Sequence, residues 1–201
     1  KSTISLNHAA KEYDAEAITQ LLTSLNTLDR LNNIAADVKV GVSQSDKLCV
    51  CEFTFIPPRA GSLVEKVFKN GNSKLLTEKK QTEYVTRTLL SVIIRTAYVL
   101  AVEYSDQFQT IVVNANTSWH DRATGKSQFG CIATMQGSAH ALSTLSPANA
   151  DPETCFRSFK GVKLPEISRP ATVTPSFDLD RDDPRIIKGK DVLPTMDPAT
   201  N

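Results

Sequence analysis

The sequence has almost no charge of one sign in excess. Its 23 Lys and Arg stand against 22 Asp and Glu, a formal net charge of +1. A balance that close neither requires nor excludes a nucleic-acid partner. The chain also lacks a charge-free apolar run of the roughly 18 residues that a membrane span needs. The nearest stretch carries Arg95 in its middle and Glu103 near its end, so no membrane partner is expected. No secretory leader pattern opens the chain. Metal-ligand spacing is missing too. Cys49 and Cys51 are separated by one residue, Cys131 and Cys155 lie far off, and His8, His120 and His140 fall at no ligand spacing. A zinc site wants two-residue gaps and matching histidines. We therefore expect no metal and no cofactor in this chain, and read the cysteines as reduced core residues of a cytoplasmic protein.

What the sequence does have is one long stretch without Gly or Pro, Thr82 to Phe108. Val85, Leu89, Ile93 and Leu100, with Leu90, Ile94, Ala97 and Ala101, recur at spacings of three, four and seven. That is the period of a helix, and its apolar arc is wide enough to be covered on most sides. Arg87, Ser91 and Arg95 interrupt it as a narrow polar stripe. At 201 residues and 40% apolar, the chain fits one domain with extensions.

The rest of the chain is arranged around that helix. Ala15 to Leu31 reads as a first helix with Ile18, Leu21, Leu25 and Leu28 at three- and four-residue intervals. It is either an amphipathic helix packed on the domain or the end of a longer coiled coil. Asp37–Ser45 and Lys47–Phe55 alternate with period two around a polar turn. In the second strand Cys49, Cys51, Phe53 and Phe55 make an apolar face, and Leu48, Val50, Glu52 and Thr54 the opposite one. Pro57 and Pro58 end it. A second hairpin, Gln109–Trp119 and Ser127–Gly137, is joined by a turn with Gly125 at the position that calls for a positive φ. Cys131, Ala133 and Met135 are expected on one face of its return strand. A short helix is capped by Asp151 with Pro152 at its first position and closed by Gly161. From Val162 prolines recur, as in an extended arm. The fold expected is α+β, with about four antiparallel strands in two hairpins packed on one long central helix. The segments are 1–36 (helical), 37–161 (core domain) and 162–201 (arm and linker).

Arg59 to Gln81 is the most basic stretch and reads as a loop, with Lys66, Lys69, Lys74, Lys79 and Lys80 opposed by Glu65 and Glu78. Lysines on such a loop suit sequence-independent contacts with phosphate. The candidate DNA-binding residues are those five lysines, with Arg87 and Arg95 secondary. Aromatics hardly interleave with them, which argues against a stacking platform for single strands. Trp119, His120 and Asp121 invite a catalytic reading, but neighbours in an extended segment point apart and no nucleophile accompanies them. Asp178, Asp180, Asp182 and Asp183 form an acidic run without the glycine and closing glutamate of a calcium loop, so it reads as surface acid paired with local Arg.

Three segments occur in a telling order: VVNANTSWHDRATGKSQFGCIATMQGS, then DPETCFRSFKGV, then PSFDLDRDDPRII. Together they resemble the central region of restriction endonuclease-like proteins of the Mrr type, over roughly Asp37 to Pro198. The resemblance implies a bacterial defence protein whose nuclease domain, of the PD-(D/E)xK class, holds Mg²⁺ between an Asp and an acidic-x-Lys pair. No such pair can be carried onto this chain. Glu52 is followed by Phe-Thr-Phe, Glu65-Lys66 and Glu78-Lys79-Lys80 lie in the connector, and Gly189-Lys190-Asp191 has the wrong order. The chain starts at Lys1 and ends at Asn201 in a Pro- and Asp-rich tail, so we expect a piece of a longer protein. The expectation is a non-catalytic module that positions or regulates a nuclease domain outside this chain, with DNA and further copies of itself as partners. Mg²⁺ would belong only to the missing domain. The rival expectations are an interaction, oligomerisation or ligand-sensing module without DNA contact, and an enzyme using His120 and Asp121.

Overall fold

The computed structural model describes residues 13–28, 33–58, 63–67, 73–121, 123–165 and 171–189. Helix α1 (Ala15–Leu28) leads into strands β1 (Ala35–Ser43) and β2 (Leu48–Phe55). Two short strands follow, β3 (Val64–Val67) and β4 (Ser73–Leu75), and then helix α2 (Glu78–Glu103). The chain continues through β5 (Thr110–His120), β6 (Ser127–Ser138), α3 (Ala139–Ser143), α4 (Pro152–Ser158), β7 (Val162–Lys163) and β8 (Ile187–Lys188). The class is α+β. The principal sheet has six strands in the order β7-β6-β5-β2-β1-β8, and β3 and β4 pair separately.

The strand count and senses differ from those expected. β1 with β2, and β5 with β6, pair antiparallel, but β2 and β5 run parallel, from Leu48 opposite Thr110 to Thr54 opposite Asn116. Parallel neighbours need a long crossover, and α2 provides it. The two extra sheet strands, β7 and β8, come from the arm, which therefore ties both edges of the sheet.

One face of the sheet carries Cys49, Cys51, Phe53 and Phe55 from β2 and Ile111, Val113 and Ala115 from β5. Against it lie Leu89, Ile93, Ala97 and Leu100 of α2, all at 0% exposure, with Leu142 of α3 and Phe156 of α4. α1 joins the same core through Ala15, Ile18 and Leu22, leaving Leu21 and Leu25 half-buried at its margin. α2 is the one helix among the described residues long and apolar enough to cross a membrane, and half of its apolar window is buried in this core.

α2 starts at Glu78, inside the stretch expected to be a loop, and ends at Glu103. Tyr104, just past that end, still donates its N–H to Leu100 O. Its buried residues run from Leu89 to Ala101, so the first three turns stand beyond the core, with Val85 packing on its rim. α4 is capped as expected: Asp151 accepts from the Thr154 N–H at 2.9 Å, which holds its carboxyl below the usual range. Its end differs. Lys160, not Gly161, takes the left-handed conformation at φ 54°, while Gly161 closes the turn by donating to Phe156 O at 2.9 Å. Gly161 must be glycine for another reason, since a Cβ there would collide with the Phe156 ring. Cys131 is also a correction. A bulge between Ala115 and Asn116 inserts Ile132 into the core and leaves Cys131 opposite Asn116, on the other face from Ala133 and Met135.

Candidate functional site

The basic candidates divide into groups. Lys74 lies exposed on β4, and Lys79 and Lys80 lie exposed in the first turn of α2 rather than in a loop. Lys66 belongs to the backbone of β3, and Lys69 lies outside the described residues. Arg87 is exposed on α2, seven residues on from Lys80. Seven residues is close to two full turns, so Lys80, Tyr84, Arg87 and Ser91, all exposed, share one outward line. Between positions 63 and 91 the sequence has six cations and three carboxylates, a net +3 in a chain whose total is +1. Lys79 keeps a long exposed contact to Glu83 at 4.0 Å, which screens little of it.

Arg95 departs from this group. It is half-buried and turned toward α1, where Nη1 donates to Asn26 Oδ1 at 3.1 Å and Nη2 to Leu25 O at 3.4 Å. Asn26 in turn donates to Ala35 O at 3.4 Å. A guanidinium at the last turn of a helix satisfies carbonyls that have no partner within the helix and sits favourably on its dipole. Arg95 thus ties α1 to α2.

The histidine and aspartate of the β5–β6 tip form no catalytic relay. His120 Nδ1 lies 3.1 Å from Ser127 Oγ on an exposed surface. The Asp121 carboxylate accepts from its own loop, from the N–H groups of Ala123 at 2.7 Å and Thr124 at 3.2 Å. Gly125 adopts φ 66°, as the turn requires. All four cysteines are buried, unpaired thiols. Burial pushes Cys49, Cys51 and Cys155 upward and Cys131 to about 12, so none is a nucleophile near neutral pH. Among the described residues no group of three or more His, Cys, Asp or Glu is placed to hold a metal ion. In the acidic run, Asp183 is gripped by Arg185, whose Nε and Nη2 donate at 3.0 and 2.7 Å and hold the carboxyl down to about 2. Arg185 also reaches Asp46 at 3.1 Å.

One polar group escaped the sequence reading. Lys39, Glu52, Asn114 and Thr134 lie opposite one another on β1, β2, β5 and β6, a single transverse row across four strands. Asn114 Nδ2 donates to Glu52 Oε1 at 2.9 Å, and Thr134 Oγ1 donates to Asn114 Oδ1 at 2.7 Å. Glu52, Asn114 and Thr134 are buried because residues 171–189 cross over them. Burial is the chief cause that raises the Glu52 carboxyl, and Asp180 and Asp178 above it add to the rise against the lowering effect of the Asn114 and Leu179 hydrogen bonds. The signal was present in outline, as a glutamate and an asparagine inside strands otherwise fit for burial on both faces.

Comparison with family models, with curated proteins and with solved structures finds no significant match. The functional reading therefore rests on the residues themselves.

Proposed function

We propose that this chain is a non-catalytic module of an Mrr-type, restriction endonuclease-like bacterial defence protein, which positions or regulates a nuclease domain outside it through contact with the DNA backbone. The observation that carries the reading is the line of Lys80, Tyr84, Arg87 and Ser91 along the outer side of α2, with Lys79 exposed in its first turn and Lys74 exposed on β4. A helix head that stands beyond the core and bears an excess of cations suits phosphate, and a surface of this kind gives affinity without base preference. On this reading Arg95 would not belong to the surface, and Mg²⁺ would be needed only by the absent domain. The setting proposed is the cytoplasm, with DNA and further copies of this chain as partners.

A second reading has its own support. Leu75 is 52% and Tyr84 50% exposed, so the same end offers apolar as well as basic surface. That mixture suits self-association or a protein partner without DNA.

Titrating the 201-residue chain with a labelled duplex at several salt concentrations separates the two. The binding constant should fall steeply with salt. In a Lys74→Ala, Lys79→Ala, Lys80→Ala variant the log–log slope should flatten by roughly one unit per lost phosphate contact, alike for unrelated sequences. An unchanged slope would remove these lysines from the interface. Absence of binding, with a dimer seen by light scattering, would favour the second reading.

A further inference from the structure

Residues 171–189 are held to the sheet differently from every helix. From Val173 to Leu179 the segment runs across the strands and meets them one after another, and at its end β8 pairs antiparallel with β1. At β6, the Val173 N–H donates to Cys131 O at 2.8 Å, and the Ser176 N–H to Thr134 Oγ1 at 3.0 Å. At β5, Phe177 O accepts from Asn114 Nδ2 at 2.6 Å. At β2, the Leu179 N–H reaches Glu52 Oε1 at 3.4 Å. At β1, the Gly189 N–H donates to Val40 O at 2.9 Å. The chain bends at Ser176, Phe177 and Leu179 as it passes from β6 over β5 to β2.

Missing side chains shape its track. A Cβ at Gly130 would collide with Thr172, and a Cβ at Gly41 would collide with Leu179 and stand 2.8 Å from Ile186 Cγ2. Beneath it lies a small apolar cluster of Leu48, Val50, Val112 and Leu179, rimmed by Phe177 and Ile186 and separate from the main core. Its terminal strand, β8, has two residues. The anchorage is thus a polar row, one minor cluster, two glycine gaps, the short β8–β1 pairing and the Arg185–Asp46 ion pair, and it meets the helical side through Val173 and through β8 beside α1 rather than through α2.

We propose that residues 171–189 form a latch, pinned by the Glu52–Asn114–Thr134 row, which leaves the sheet as a unit while the helical side stays folded. Release bares Leu48, Val50 and Val112 and opens the outer edge of β1. The groups facing the pin make its hold sensitive to charge. Asp178 and Asp180 come from the latch itself, Cys131 from β6, and Lys39 lies in register with Glu52 on β1. Ionised Glu52 faces the two latch aspartates as like charges, which opposes seating. The inference concerns the latch alone and stands or falls independently of DNA contact.

Hydrogen exchange by mass spectrometry on the full chain tests it. In the wild type, peptides covering 172–189 should open more readily than those of α2 and β5. Gly41→Val places a side chain under Leu179 and Ile186, and should speed exchange of the latch by about tenfold or more while leaving α2 unchanged. Thr134→Val, which removes the hydroxyl beneath Ser176, should act in the same direction and serves if Gly41→Val fails to fold. Latch and core exchanging at one common rate in the wild type, or rising together in the variant, would overturn the proposal.

Discussion

The two faces of one sheet are filled by different means. On the helical face the strands present only apolar side chains, from Cys49 to Phe55 on β2 and from Ile111 to Ala115 on β5, and α2 packs into them with Leu89, Ile93 and Leu100. On the latch face the apolar residues Leu48, Val50 and Val112 lie beside a row in which Glu52, Asn114 and Thr134 bond to one another and to the covering chain. An apolar face stabilises whatever covers it, with loose demands on position. A buried polar row demands a specific partner for each atom, because an unsatisfied group costs more than a satisfied one contributes. The helical face therefore supplies most of the stability, and the latch face fixes where one extended segment lies.

Paired truncations break or uphold that contrast. Ile93 is fully buried between α2 and the sheet, and Ile93→Ala should cost ~2–5 kcal/mol, the range for a cavity that rigid neighbours cannot close. Leu179→Ala removes a comparable volume from the latch face, but an extended segment can settle into the gap, so its cost should lie at or below ~2 kcal/mol. Denaturant unfolding of both variants gives the comparison directly. Equal losses would mean that the latch is as integral as the spine.

The next expected effect is smaller and depends on pH. Burial raises the Glu52 carboxyl above its unfolded value of 4.5, so the folded state holds its proton more tightly than the unfolded chain does. The stability from this group is full below that unfolded value and is lost as pH rises through the raised one. Glu52→Gln cannot ionise, so its stability relative to the wild type should climb from about pH 4.5 upward and then level off. Urea midpoints across that range would show it. A constant difference between the two proteins would mean that Glu52 titrates alike in both states and that the row carries no proton linkage.

Local patterns announced the helical face and not the latch face. The period of Val85, Leu89, Ile93 and Leu100 is a property of neighbouring turns, and it marked α2 correctly in kind. Its start was missed because Glu78, Lys79 and Lys80 lie in turns that stand beyond the core. The alternation in β2 separated Cys49, Cys51, Phe53 and Phe55 from their neighbours, and those four do meet the core. The polar row was hidden because its bonds join distant positions: Asn114 to Glu52 spans 62 residues and Leu179 to Glu52 spans 127. No local period encodes such a pairing. The parallel alignment of β2 with β5 was hidden for the same reason, since two hairpins read singly suggest antiparallel partners. Arg95 and Arg87 looked alike as members of one stripe, and only the position of α1 separates the arginine that binds Asn26 from the one that faces solvent.

The smallest effect belongs to the corner at which the chain leaves the helical face for the sheet edge. Lys160 sits between α4 and β7 at φ 54°, a conformation that costs an L-residue free energy and glycine almost none. The cap bonds around it, Lys160 N–H to Arg157 O at 3.0 Å and Gly161 N–H to Phe156 O, come from the backbone and survive the loss of its side chain. Lys160→Gly should therefore stabilise the protein by up to about 1 kcal/mol, less whatever the unfolded chain gains in entropy from the new glycine. For a chain of this size that is a rise of about 2–4 °C in Tm, with hydrogen exchange in the latch and in α2 both unaltered. A selective change in the latch would mean that strain at Lys160 feeds into how residues 171–189 seat, and would join the two faces that the first comparison separates.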